Sequence, residues 1–122
     1  MKKIMVVDDE QDLREMIHLI VQKEGFTAMT AENGVDFLSK IDSFQPDLVT
    51  LDVMMPGLAT KDILEKLQHK KNHPKIILLT VVRFTEKEKQ RLTENGLVVD
   101  YLTKPFEVKH LLSTIHKHLE KN

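Results

Sequence analysis

Five short runs rich in apolar residues, Ile4 to Val7, Phe26 to Thr30, Leu48 to Leu51, Lys75 to Leu79 and Val98 to Leu102, alternate with longer segments of helical periodicity. That alternation predicts βα repetition around a buried parallel sheet, an α/β fold with helices on both faces of five strands. The run Phe26 to Thr30 is the least apolar and is placed at an edge. Leu13, Ile17, Ile20 and Val21 mark one helical face, and Val35, Leu38 and Ile41 a second. Ile63, Leu64 and Leu67 mark a third, and Leu111, Leu112, Ile115 and Leu119 a fifth. The fourth helical segment, Thr85 to Asn95, differs: Glu86, Lys87, Glu88, Lys89, Arg91 and Glu94 surround little more than Leu92. Its packing energy is expected to be small, which suits either an adjustable element or a surface helix kept soluble by its charges.

The 122 residues fit one domain, 1–122, with a true core. A formal charge of -1, from 18 basic and 19 acidic residues, gives no general reason to attract nucleic acid or a membrane surface. Cysteine is absent, which excludes disulfides and thiolate chemistry. No segment approaches the length needed to cross a bilayer, so a cytoplasmic protein is expected.

Chemistry enters at the ends of the apolar runs. Asp8 and Asp9 follow the first run and Asp52 follows the third. If those runs are neighbouring parallel strands, the carboxylates converge at the carboxyl edge of the sheet, where open α/β sheets bind ligands. Like charges held that close repel and need a cation, and oxygen donors of this kind suit Mg²⁺. The backbone carbonyl of Met54 is a further candidate donor, and Lys104 supplies a fixed positive charge after a later strand. The constellation suits nucleophilic attack by the Asp52 carboxylate on a phosphoryl donor, giving an acyl phosphate. Thr80, at the end of the fourth run, offers a hydroxyl to such a phosphate, and its inward movement would leave room for Tyr101 to rotate.

Taken singly, each residue has a plainer reading. Acidic pairs near a helix start commonly serve as caps, Thr80 as a turn hydroxyl, Lys104 as a solvated charge and Tyr101 as a packed aromatic. Asp12 is assigned to capping the first helix, and Thr60 or Asp62 to the third. The six histidines match no zinc motif and are read as surface residues, His116 and His118 complementing the dipole of the last helix.

Four segments, Val6-Val7-Asp8-Asp9-Glu10, Leu51-Asp52-Val53-Met54-Met55-Pro56-Gly57, Leu79-Thr80 and Asp100-Tyr101-Leu102-Thr103-Lys104-Pro105-Phe106, together make the chain resemble receiver domains of two-component response regulators, most nearly the chemotaxis-type single-domain form. The resemblance covers essentially the whole chain. It implies a flavodoxin-like sheet in the order 2-1-3-4-5, with Asp52 as phosphoacceptor for a histidine kinase or phosphotransfer protein. It further implies Mg²⁺ held by Asp8 and Asp9, a signalling pair of Thr80 and Tyr101, a phosphate-binding Lys104 and slow self-dephosphorylation. The output face implied, roughly 85–119, would bind an unidentified downstream protein, in a monomer or a weak phosphorylation-dependent dimer. The resemblance also raises the expectation of a cis Lys104-Pro105 bond.

The chain departs from the family pattern in several places. Leu58-Ala59-Thr60 replaces an acidic residue and glycine, Val81 replaces a very small residue, Met54 offers no carboxylate or amide to orient water, and Gly96 to Asp100 is slightly long. Rival readings are a receiver-like binding module that is never phosphorylated, a receiver cut from a larger transcriptional regulator, and a phosphoaspartate hydrolase. The hydrolase lacks its second acid, since Met54 stands there. A flavin protein fits poorly because the loop after Val7 is acidic.

Overall fold

Ile4, Met5, Val6 and Val7 are all fully buried in the first strand, β1 (Lys3–Val7), so both of its faces are covered. A strand in that position has no solvent side to favour polar alternation, which explains the continuous apolar run. The computed structural model describes residues 2–53, 59–71, 73–81, 84–94 and 96–119. β1 pairs in parallel with β2 (Thr27–Ala31) on one side and β3 (Leu48–Asp52) on the other. β4 (Lys75–Thr80) and β5 (Val98–Thr103) continue the sheet to give the order β2-β1-β3-β4-β5. The α/β class, the parallel sheet, its order and the edge position of β2 are as expected.

The helices are α1 (Gln11–Lys23), α2 (Gly34–Phe44), α3 (Thr60–Gln68), α4 (Glu86–Thr93) and α5 (Val108–Leu119). Alternate strand residues feed two cores. Met5, Val49, Leu51, Ile76 and Leu78 pack with Phe37, Ile41, Ile63 and Leu67 of α2 and α3. Ile4, Val6, Leu48, Ile77 and Leu79 pack with Ile17, Val21, Leu111 and Ile115 of α1 and α5. The sheet therefore lies between two apolar layers, and its strand ends are held by packing on both sides.

Several local expectations change. On α2 the buried face is Gly34, Phe37 and Ile41, while Val35 is 66% exposed. The inward stripe runs one residue earlier than the Val35 spacing suggested, and Phe37 provides its bulk. Asp12 does not cap α1. The N-cap is Glu10, which makes no side-chain bond, and Asp12 sits in the first turn, where its charge complements the helix dipole. The N-cap of α3 is Ala59, so neither Thr60 nor Asp62 caps it; the Thr60 hydroxyl instead donates to the Val53 carbonyl at 3.3 Å.

α4 is capped by Thr85 and Glu88, which reciprocate side-chain and backbone bonds. None of its described side chains is fully buried, and the side chain of Leu92 lies outside the described residues. The extra length before Tyr101 is absorbed in the sheet. Ile76 opposes Val98 but Ile77 opposes Asp100, so Val99 is the surplus residue of a β-bulge.

Candidate functional site

Because β1 and β3 are adjacent and parallel, their carboxyl ends deliver Asp8 and Asp52 to one edge. Asp8 is completely buried and Asp52 is 4% exposed, whereas Asp9 is exposed. One carboxylate oxygen from each of Asp8, Asp9 and Asp52 lies within 4.8 Å of the other two. The expected convergence is therefore present.

Asp8 is fixed through every polar group it has. Its N–H donates to the Ala31 carbonyl at 3.2 Å, its Oδ1 accepts from the Glu10 N–H at 3.0 Å, and its carbonyl accepts from Arg14 Nη1 at 2.9 Å. Its Oδ2 accepts from Lys104 Nζ at 3.0 Å, and the same ammonium lies 3.5 Å from Asp52 Oδ1. Lys104 thus sits between the two buried carboxylates. Three carboxylates set against the Lys104 ammonium and the Arg14 guanidinium leave one formal negative charge, and all the donors are oxygen. A hard divalent cation fits both the charge and the donor chemistry.

Thr80 closes β4 and is 1% exposed. Its carbonyl accepts from the Lys104 N–H at 2.7 Å, which ties the end of β4 to the loop carrying the ammonium. The Lys104-Pro105 bond is cis. Val81 is 60% exposed. Met54, the expected carbonyl donor, lies outside the described residues, as do Met55, Pro56, Gly57 and Leu58.

Tyr101 lies in the half-buried layer under α4. Its hydroxyl donates to the Lys89 carbonyl at 2.8 Å, and its ring meets Phe84 edge-on at 5.8 Å. Burial raises its phenol above the ordinary 10.0, against an opposing hydrogen bond from Thr93 and with help from the Asp100 charge.

Three features were missed in the sequence. Arg14 reaches back six residues to the Asp8 carbonyl. His118 and His116, read as surface residues, each meet a carboxylate. His118 Nε2 lies 3.0 Å from Asp100 Oδ2, and His116 Nε2 lies 3.5 Å from Glu24 Oε2. All three contacts cross between elements, where no periodicity signals them. A cavity of about 560 Å³ also opens at the opposite edge of the sheet, between Gln45, Pro46 and Asp47 on one side and Lys71, His73 and Pro74 on the other, away from the acidic cluster.

The chain belongs to the response regulator receiver domain family, whose pattern matches residues 4–116. The probable transcriptional regulatory protein TcrX of Mycobacterium tuberculosis is 33% identical over 118 residues, covering 97% of this chain and 50% of that protein. The chain spans about half the length of the curated relatives it matches. The structure of chemotaxis protein CheY4 from Vibrio cholerae is similar with a TM-score of 0.88 at 27% identity, covering 98% of this chain and 99% of that one. Response regulator TrrA from Thermotoga maritima, in complex with Mg(2+)-BeF, gives 0.80 at 37% identity and covers 98% of this chain and 100% of that one. A further TrrA structure, in complex with histidine kinase ThkA, gives 0.80 at 36% identity, covering 98% and 99% of the two chains.

Chemotaxis and transcriptional relatives both match, so the class defined is the receiver domain in general, and its acidic cluster is consistent with phosphoaccepting chemistry. Among the described residues no helix is long and apolar enough to cross a membrane.

Proposed function

We propose that this chain is the phosphoaccepting receiver of a two-component system, and that Asp52 is the acceptor. The carrying observation is the meeting of Asp8, Asp9 and Asp52 within 4.8 Å at one sheet edge, with Lys104 between the two buried carboxylates. The Asp52 carboxylate attacks phosphorus, an O–P bond forms, and the bond to the donor's leaving nitrogen or oxygen breaks, a leaving nitrogen departing with a proton. Lys104 follows the transferred group, its ammonium moving from carboxylate to phosphoryl oxygen. Asp8, Asp9 and Asp52 would hold Mg²⁺, with the Met54 carbonyl proposed as a further donor, and the ion would neutralise the charge gathered there.

Asp52 phosphate then offers an acceptor to the Thr80 hydroxyl, and Tyr101 reports the change to α4 through its bond to Lys89. The partners proposed are a histidine kinase or phosphotransfer protein, as supported by TrrA in complex with ThkA, and a downstream protein at 85–119. A cytoplasmic setting, a single domain over 1–122 and a monomer or weak phosphorylation-dependent dimer complete the reading. Similarity to CheY4 agrees with a chemotaxis-type receiver, while similarity to half of TcrX agrees with the receiver part of a larger transcriptional regulator.

The test is intact-mass analysis after incubation with a small phosphoramidate donor. The protein gains one phosphoryl group, and Asp52→Asn gains none. Equal labelling of both would move the acceptor away from Asp52, and labelling of neither would favour the binding module that is never phosphorylated.

A further inference from the structure

Asp8 and Asp52 are buried and tied to neighbours, but Asp9 is exposed and its carboxylate makes no hydrogen bond among the described residues. Its approach to the other two is therefore set by its backbone. The peptide joining Asp8 to Asp9 is planar, so the direction of the Asp8 carbonyl fixes where the Asp9 residue begins. That carbonyl is held by one side chain, Arg14, through the 2.9 Å bond from Nη1. Arg14 is itself anchored in the first turns of α1, its N–H donating to the Glu10 carbonyl at 2.9 Å.

We infer that Arg14 is a positioning residue for the cation site, acting through the Asp8-Asp9 peptide to hold the Asp9 carboxylate in reach of Asp8 and Asp52. The inference rests on the reading of these three carboxylates as the cation site. It has a distinctive sign. A guanidinium beside a cation site repels the cation, so an arginine acting by charge alone weakens binding, and its removal strengthens it. Across a solvated edge that repulsion is screened over about 8 Å at physiological ionic strength. Loss of a hydrogen bond that orients a ligand typically costs about 10- to 100-fold in metal affinity, and this effect is the larger. A positive residue is therefore expected to strengthen binding of a positive ion.

Titration calorimetry with Mg²⁺ alone on the full chain tests this, with folding of each variant checked by thermal melting in chelator. Arg14→Met is expected to bind Mg²⁺ about 10-fold more weakly, and Arg14→Lys, which keeps the charge and one donor, to recover part of the loss. Because Arg14 acts through Asp9, Arg14→Met added to Asp9→Asn is expected to weaken binding no further. Unchanged or tighter binding by Arg14→Met, or full additivity with Asp9→Asn, would overturn the inference. Should Arg14→Met fail to fold, Arg14→Ala takes its place, and wild-type affinity in that variant overturns the inference equally. Absence of Mg²⁺ binding by the unaltered chain would instead defeat the cation-site reading itself, and this inference with it.

Discussion

The acidic edge and the α4–β5 region are neighbours built on opposite terms. At the edge, Asp8 is completely buried, its polar groups are all engaged, and the strands beneath it are packed on both faces. Among the described residues, α4 presents mostly exposed charge and is tied by its capping box and by one phenol hydroxyl on the Lys89 carbonyl. The first arrangement keeps repelling charges in register at the expense of the surrounding core. The second leaves the described side chains of α4 with little burial to lose when the helix shifts. The function proposed above calls for both: chemistry that does not wander, and a reporter whose rest position is weakly held.

The widest separation between the two regions should come from the core. Ile77→Ala, in the centre of the sheet, is expected to lower global stability by about 2–5 kcal/mol in chemical denaturation, a loss that no substitution on the exposed face of α4 approaches. Next is the metal. At Mg²⁺ a hundredfold above its dissociation constant, stability should rise by about 2.7 kcal/mol over the chelated protein. Asp9→Asn should lose most of that increment while melting normally in chelator. Equal stabilisation of the variant would remove Asp9 from the cation site.

Smaller effects belong to α4. Tyr101→Phe is expected to cost about 1 kcal/mol, read as faster amide exchange in α4 with exchange in β3 and β4 unchanged. Thr85→Ala should cost a similar or smaller amount, about 1 kcal/mol at most, again confined to α4. If either slowed or accelerated exchange across the whole sheet, the helix would be part of the cooperative core and the contrast would fail.

The least effect is one of pH. The phenol of Tyr101 is raised above 10.0 by burial, so the folded state favours its neutral form. Its contribution is whole below the unfolded value near 10 and is lost as pH rises through the folded one. Phenolate absorbance should therefore appear later in the folded protein than in the denatured protein, and the lag should shorten if α4 is destabilised by Thr85→Ala.

What the sequence made legible follows the same divide. Strands buried on both faces leave continuous apolar runs, and residues just beyond them must emerge at one edge, so Asp8, Asp52, Thr80 and Lys104 were readable from position alone. Features that depend on contacts between elements were not. The bulge at Val99 required the β4 register, and the Asp100–His118 pair required α5 to lie against β5. Arg14 stood out by no pattern, since its bond to Asp8 crosses the loop into α1. Cap assignments failed where the helix began earlier than expected: α1 starts two residues before an Asp12 cap would allow, which turned Asp12 from a cap into a first-turn charge. On α2 the expected Ile41 and Leu38 do meet the core, and only Val35 turns outward, its place on the inward stripe taken by Gly34 and Phe37.

Two-step amide shift mapping reaches the central claim most directly. Mg²⁺ added alone should perturb residues 8–10 and 52–53 and leave α4 quiet; a phosphoryl donor added next should extend the changes to Thr80, to 84–93 and to 98–104. Metal-induced shifts scattered over unrelated faces, or centred on the cavity at the opposite edge, would contradict it.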